Sequence, residues 1–104
     1  MVENDVRLSQ AGIVRAGAKP DKAEFSRAMG LNLQRLRGER GLSQERLAHM
    51  AGISSYTYQK FEKGESKPGT PMNPRLFTLL SLAEVLEVGL EDIVPAEWPD
   101  LSDE

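Results

Sequence analysis

The sequence predicts an all-α fold of five helices. Apolar residues recur at the spacing of a helix face along most of the chain, and these stretches are separated by residues that cap or end helices. No stretch alternates apolar and polar residues with the period of a strand. A chain of 104 residues, 39% hydrophobic and 28% charged, is sufficient for one soluble domain with a single core.

The first helix is predicted to begin after Pro20. Asp21 can cap its first turn, and Glu24 completes a capping box. The buried face follows helical spacing and contains Phe25, Met29, Leu33 and Leu36. Gly41 is predicted to end this helix in a left-handed conformation.

Two short helices are predicted next. Ser43 caps the second helix, which ends at Gly52, and its inner residues are Leu47, Ala48 and Ala51. Ser54 or Ser55 caps the third helix, which ends at Gly64, and its inner residues are Tyr58 and Phe61.

The remaining segments are predicted from their composition. Residues 65–73 hold two prolines and a glycine and are expected to form a loop. A fourth helix runs from about Pro74 to Glu87 and carries more apolar residues than one stripe needs, so two of its sides should be covered. Residues 90–94 form a fifth, single-turn helix. The predicted organisation is an N-terminal arm at 1–20, with a short helix around 8–14, a domain at 21–94 and an acidic C-terminal tail at 95–104.

The net charge of −3 conceals an uneven distribution along the chain. Residues 1–75 hold all 13 Lys and Arg against 8 Asp and Glu, a net charge of +5, and residues 76–104 hold 8 acidic residues and no basic ones. Binding depends on the local field rather than the total charge. The basic part is therefore suited to a phosphate backbone.

Composition argues against catalysis and against membrane insertion. The chain has no Cys and one His, His49, so no cysteine nucleophile, zinc site or other metal site is expected. No glycine-rich phosphate loop, long apolar segment or signal peptide is visible. We therefore expect a cytoplasmic protein that is not an enzyme and needs no cofactor.

The most informative stretch is the corner between the second and third helices. Two helices joined by a tight turn approach closely near the bend, and Ala48 leaves room for that approach. Gly52 permits backbone angles that a side chain would resist, and Ile53 fills the inside of the corner.

With these features the sequence resembles the phage repressor/Cro-type helix-turn-helix family, also called the XRE family, over residues 28–94. The first matching run is Leu33-x-x-Leu36-Arg37-x-x-Arg40-Gly41-Leu42-Ser43-Gln44-Glu45-x-Leu47-Ala48-x-x-Ala51-Gly52-Ile53-Ser54, followed by Tyr58-x-x-Phe61-Glu62-x-Gly64. The match resumes with Asn73-Pro74, Leu79-x-x-Leu82-Ala83-x-x-Leu86-x-Val88 and Leu90-x-Asp92-Ile93. The sequence departs from the family at Tyr58, where smaller aliphatic residues are usual, and by about six extra residues between Gly64 and Pro74.

The resemblance implies a five-helix, repressor-like domain that binds double-stranded DNA, with recognition helix 54–63 in the major groove. The implied base-contacting residues are Ser55, Tyr56, Gln59 and Lys60. The implied backbone contacts are Ser43, Gln44, Lys63 and Lys67. Arg37 and Glu62 match a structural ion pair of the family. The resemblance also gives a packing reason for Gly30 but none for Gly38.

Two functions follow as hypotheses. The first is a sequence-specific transcriptional regulator, a repressor, that binds as a homodimer through surplus apolar residues, namely Leu82, Val85, Leu90, Ile93 and Val94. The second is an antitoxin that acts mainly by binding a toxin or another protein partner through its acidic end or basic arm. Trp98 is interpreted either as a lid on the core or as an interface residue.

Overall fold

The structure is a computed structural model that describes residues 19–102. Over this range the elements are α1 (Lys22–Glu39), α2 (Gln44–Ala51), α3 (Ser55–Lys63), β1 (Glu65–Lys67), β2 (Thr70–Pro71), α4 (Leu76–Leu86) and α5 (Leu90–Ile93). The prediction of five helices is confirmed for this part of the chain. The short helix expected around residues 8–14 lies outside the described residues.

The first three helices begin at predicted caps. Asp21 accepts a hydrogen bond from the backbone N–H of Glu24 at 2.7 Å, and the Glu24 carboxylate accepts one from the Asp21 N–H at 3.0 Å. Ser43 and Ser54 each accept the backbone N–H three residues further on, at 3.0 Å. Ser54 is therefore the cap of α3, and Ser55 is its first helical residue.

Gly52 closes α2 and starts the turn to α3. Its φ of 80° lies in the left-handed region, where a side chain would be strained. The N–H of Ile53 then donates to the carbonyl of Ala48 at 3.0 Å, a bond typical of a Schellman helix end. This bond directs the chain sharply from α2 into α3.

One core joins all five helices. Its fully buried large side chains are Tyr58, Leu33, Leu47, Leu82, Leu86 and Ile93. The prediction that Leu82 and Ile93 lie on a dimer surface is therefore wrong. Helix α4 packs against both α2 and α5, so these two side chains fill the space between the elements. The other three residues predicted there, Val85, Leu90 and Val94, are half-buried against the same core.

The segment predicted as a loop contains a small antiparallel hairpin. Glu65 pairs with Pro71 and Lys67 with Thr70, and Gly69 occupies the turn with a φ of 82°. The prediction missed it because strands of three and two residues are too short to show alternation. The hairpin is tied to α1 by the hydroxyl of Ser26, which donates to the carbonyl of Met72 at 2.8 Å.

Gly30 brings the backbones of α1 and α3 together. A Cβ atom at this position would lie 2.4 Å from the carbonyl oxygen of Glu62 and 2.7 Å from that of Phe61. Gly38, two turns further along α1, has no atom within 4 Å of the equivalent position apart from the surrounding backbone of α1. Gly30 thus has a packing reason that fixes the position of α3, and Gly38 has none.

Residues 19–102 contain neither a membrane-spanning helix nor a cluster of metal ligands. None of the helices there is both long and apolar enough to cross a membrane. The same residues contain no cluster of three or more His, Asp or Glu side chains that would hold a metal ion.

Candidate nucleic-acid interface

The inside of the corner between α2 and α3 is packed. Leu47 and Ala48 on α2 are buried, and Ile53 in the turn is partly buried against them. On α3, the rings of Tyr58 and Phe61 face inward and meet edge to face, with centroids 6.3 Å apart. This packing fixes α3 against the domain along one side only.

The opposite side of α3 is open to solvent. Tyr56 is 65% exposed, Gln59 is exposed, and Ser55 and Lys60 are partly exposed. Tyr56 and Lys60 are one helical turn apart on α3. The ammonium of Lys60 lies 4.3 Å from the ring centroid of Tyr56, which is a cation–π contact. All four residues predicted to contact bases therefore lie on one short helix, and none of them is buried.

The residues predicted to contact the DNA backbone lie at three places around α3. Ser43 caps α2, and its hydroxyl oxygen accepts a backbone N–H of that helix. Lys63 is the last residue of α3, and Lys67 lies in strand β1. Both lysines are exposed. They extend the positive charge from the end of α3 into the hairpin.

Gln44, the first residue of α2, is partly buried. Its side-chain amide donates a hydrogen bond to Oε1 of Glu62 at 2.8 Å. The sequence predicted a phosphate contact for Gln44 and gave no sign of this internal bond. The two residues are 18 positions apart, so local spacing gives no signal for the contact.

The structure brings Arg37 and Glu62 into a two-point ion pair between α1 and α3. Nε of Arg37 lies 2.6 Å from Oε2 of Glu62, and Nη2 lies 3.2 Å from Oε1. Nη1 donates to the carbonyl of Leu42 at 2.9 Å. The guanidinium therefore connects α1, the turn before α2, and α3.

Tyr58 completes the surroundings of this carboxylate. The buried phenol donates its hydroxyl hydrogen to Oε2 of Glu62. Burial alone would raise the pKa of Glu62, but hydrogen bonds from Arg37, Tyr58 and Gln44 outweigh it, and the net pKa lies below its ordinary value. Burial, reinforced by the neighbouring carboxylate, raises the pKa of Tyr58 well above its ordinary value of 10.0. At neutral pH the carboxylate of Glu62 is thus ionised and the phenol of Tyr58 is protonated.

The helix-turn-helix family HTH_3 matches residues 33–93, more than half of the chain. The chain belongs to this family. The phage repressor/Cro-type resemblance stated from the sequence is thereby confirmed.

Relatives of this helix-turn-helix protein are regulators. It is 32% identical over 71 residues to an uncharacterized HTH-type transcriptional regulator, y4dJ, of Sinorhizobium fredii, covering 68% of this chain and 84% of the relative. The crystal structure of the restriction-modification controller protein C.AhdI from Aeromonas hydrophila superposes with a TM-score of 0.57 at 30% identity, over 64% of this chain and 92% of C.AhdI. The master regulator for biofilm formation SinR, solved in complex with DNA, superposes with a TM-score of 0.52 at 26% identity, over 60% and 90% of the two chains.

Proposed function

We propose that this helix-turn-helix protein is a sequence-specific DNA-binding regulator of transcription, acting as a repressor, with α3 in the major groove. The observation that carries the proposal is the open side of α3, where Tyr56, Gln59 and Lys60 project from a helix whose other side is buried. Three relatives described as regulators or as a controller, one of them solved with DNA, support it.

Each exposed side chain of α3 has a suitable partner at a base edge. The amide of Gln59 can pair with N6 and N7 of adenine, and the ammonium of Lys60 can donate to O6 or N7 of guanine. The ring of Tyr56 can pack on a thymine methyl group. Because Lys60 rests on this ring, we expect the two side chains to read neighbouring bases as one unit.

Phosphate contacts would fix the position of the domain on the duplex. Gln44 lies at the N-terminus of α2, where free backbone N–H groups and the helix dipole favour an anion. Lys63 and Lys67 add positive charge at the C-terminal end of the recognition helix and in the hairpin that follows it. Such contacts set register and orientation but carry no sequence information.

Substitution of a residue proposed to contact bases and of a residue proposed to contact phosphate should affect DNA binding in different ways. Gln59→Ala should reduce discrimination at one or two base positions by roughly 1–3 kcal/mol, because it removes a bidentate pair. Lys63→Ala should weaken binding to all sites alike and reduce the slope of log K against log salt by about 1. Selection of bound duplexes from a random pool at two salt concentrations measures the base preference of each variant. Titration of the selected duplex then measures the affinity and its salt dependence.

The selection also decides the proposal itself. Enrichment of no sequence by the wild-type protein would rule out sequence-specific binding. An unchanged base preference in Gln59→Ala would show that Gln59 does not contact bases, even if binding as such persists.

We further propose that the protein binds as a homodimer through the N-terminal part of α4. Leu76, Phe77 and Leu80 are 57%, 78% and 42% exposed, and together they form the apolar surface that the core leaves uncovered on this helix. A single recognition helix reaches only a few base pairs, so proteins of this kind bind paired half-sites about one helical turn apart. A symmetric contact between two copies of this surface would provide the pairing.

Phe77→Asp should raise the dimer dissociation constant at least tenfold, because a charge would enter an apolar contact. Sedimentation equilibrium measures the constant directly. Leu31→Asp is the matched control, since Leu31 is 57% exposed but lies on α1, and we expect it to leave the dimer unchanged. A wild-type protein that stays monomeric, or equal weakening by both substitutions, would contradict the proposed surface.

The antitoxin hypothesis is not favoured. The relatives are described as transcriptional or restriction-modification regulators, and none of these descriptions mentions a toxin. No catalytic role is proposed for a member of this family of regulators.

A further inference from the structure

Tyr58 has a hydroxyl that the core does not require for packing. The residue is fully buried on α3. A phenylalanine ring would fill the same apolar space. The additional oxygen donates its hydrogen to Oε2 of Glu62, one helical turn further along.

The carboxylate of Glu62 is fully occupied. Oε2 accepts from the hydroxyl of Tyr58 and from Nε of Arg37, and Oε1 accepts from Nη2 of Arg37 and from the amide of Gln44. An ionised carboxylate offers about four acceptor positions. With all of them used, the carboxylate is held in one orientation.

That orientation determines how the amide of Gln44 is presented. One amide N–H of Gln44 is held inward by Oε1 at 2.8 Å. The second N–H and the carbonyl oxygen are left to point away from Glu62, at the end of α2 that favours phosphate. Any rotation of the carboxylate would be transmitted to this amide.

We infer that the hydroxyl of Tyr58 positions Gln44 for its contact with the DNA backbone. It does so by fixing the carboxylate of Glu62, to which the amide of Gln44 is bonded. Tyr58 is then a positioning residue that does not itself touch DNA. The inference rests on the proposed function and adds to it a link between the buried side of α3 and the phosphate contact of α2.

A double-mutant cycle tests the link. Dissociation constants for the selected duplex are measured by fluorescence anisotropy for the wild type, Tyr58→Phe, Gln44→Ala and the double variant. Tyr58→Phe should weaken binding about three- to tenfold, the value of one hydrogen bond. In the Gln44→Ala background the same substitution should change affinity less than twofold, because the group that it positions is gone.

Lys63→Ala supplies the matched control background. Lys63 is exposed and has no part in the Glu62 network, so there Tyr58→Phe should retain its full effect. Equal weakening by Tyr58→Phe in the wild-type, Gln44→Ala and Lys63→Ala backgrounds would indicate a general structural effect and overturn the inference. The inference would also be overturned if Tyr58→Phe did not weaken binding in the wild-type background. Absence of binding by the wild type would instead reject the proposed function, so the two failures are distinguishable.

A second measurement needs no DNA. In the free protein, the side-chain amide protons of Gln44 should give an NMR signal shifted by the bond to Glu62, and Tyr58→Phe should move that signal towards the position of an exposed glutamine. An unmoved Gln44 signal in a folded Tyr58→Phe variant would show that the hydroxyl does not control the amide.

Discussion

Replacement of Arg37 by alanine should lower the free energy of unfolding by about 3 kcal/mol, the low end of the range for breaking a buried ion pair. The carboxylate of Glu62, whose side chain is 5% exposed, would lose two of its four hydrogen bonds and the positive charge of the guanidinium that contacts it. Tyr58 and Gln44 would remain as donors, which keeps the expected loss at the lower end. Urea unfolding at neutral pH, followed by circular dichroism, measures the loss.

Arg35→Ala is the matched control for this prediction. Arg35 also belongs to α1 and also forms an ion pair, with Glu39 at 3.5 Å, but both side chains are more than half exposed. Exposed pairs contribute little, so this variant should lose less than about 0.5 kcal/mol. Equal losses in the two variants would show that the Arg37–Glu62 pair behaves as a surface pair.

The same pair should give stability a defined dependence on acid pH. The pKa of Glu62 is lowered in the folded protein, so on acidification the unfolded chain binds a proton before the folded one does. The stability from this group is therefore present above its ordinary pKa of 4.5 and is lost as the pH falls through the folded value. In Arg37→Ala the pKa of Glu62 moves up, and this acid-dependent component should shrink.

The parts of the fold that could be predicted from the sequence are those set by local chemistry. A serine or aspartate cap bonds to an N–H three residues away, so Asp21, Ser43 and Ser54 marked helix starts without knowledge of the tertiary structure. Gly52 and Gly64 marked helix ends for the same reason, since a left-handed residue is needed at a single position. The inward residues of α3, Tyr58 and Phe61, followed from these boundaries together with helical spacing, whereas the residues on its exposed side came from the family resemblance.

What could not be predicted depends on contacts between distant parts of the chain. Helical periodicity places the apolar Leu82 on one side of α4. It does not show whether that side packs against another helix of the same chain, as it does here, or against a second copy of the protein. The bonds of Glu62 to Arg37 and Gln44 span 25 and 18 positions, so no local pattern encodes their geometry. Only the family resemblance pointed to the Arg37–Glu62 pair, and it gave no indication that Tyr58 and Gln44 also bond to Glu62.

Gly30→Ala should destabilise the domain by about 2–3 kcal/mol, within the range for overpacking a close contact. The added Cβ would meet the carbonyl oxygens of Glu62 and Phe61 at 2.4 and 2.7 Å. These are backbone atoms, so no change of rotamer relieves the contact, and the end of α3 must move away from α1. Because α3 carries the residues proposed to contact bases, affinity for the selected duplex should fall as well. Thermal or urea unfolding and anisotropy titration measure the two effects.

Gly38→Ala places the same methyl group on the same helix and should act in the opposite direction. Apart from the surrounding backbone of α1, no atom lies within 4 Å of the added Cβ, so only the gain in helix propensity remains, up to about 1 kcal/mol of stabilisation. Helix propensity favours alanine at both positions, so a difference in sign between the two variants can arise only from the contact of Gly30 with α3. Stabilisation by both substitutions would mean that α1 and α3 do not approach at Gly30, and the position assigned to the recognition helix would be wrong.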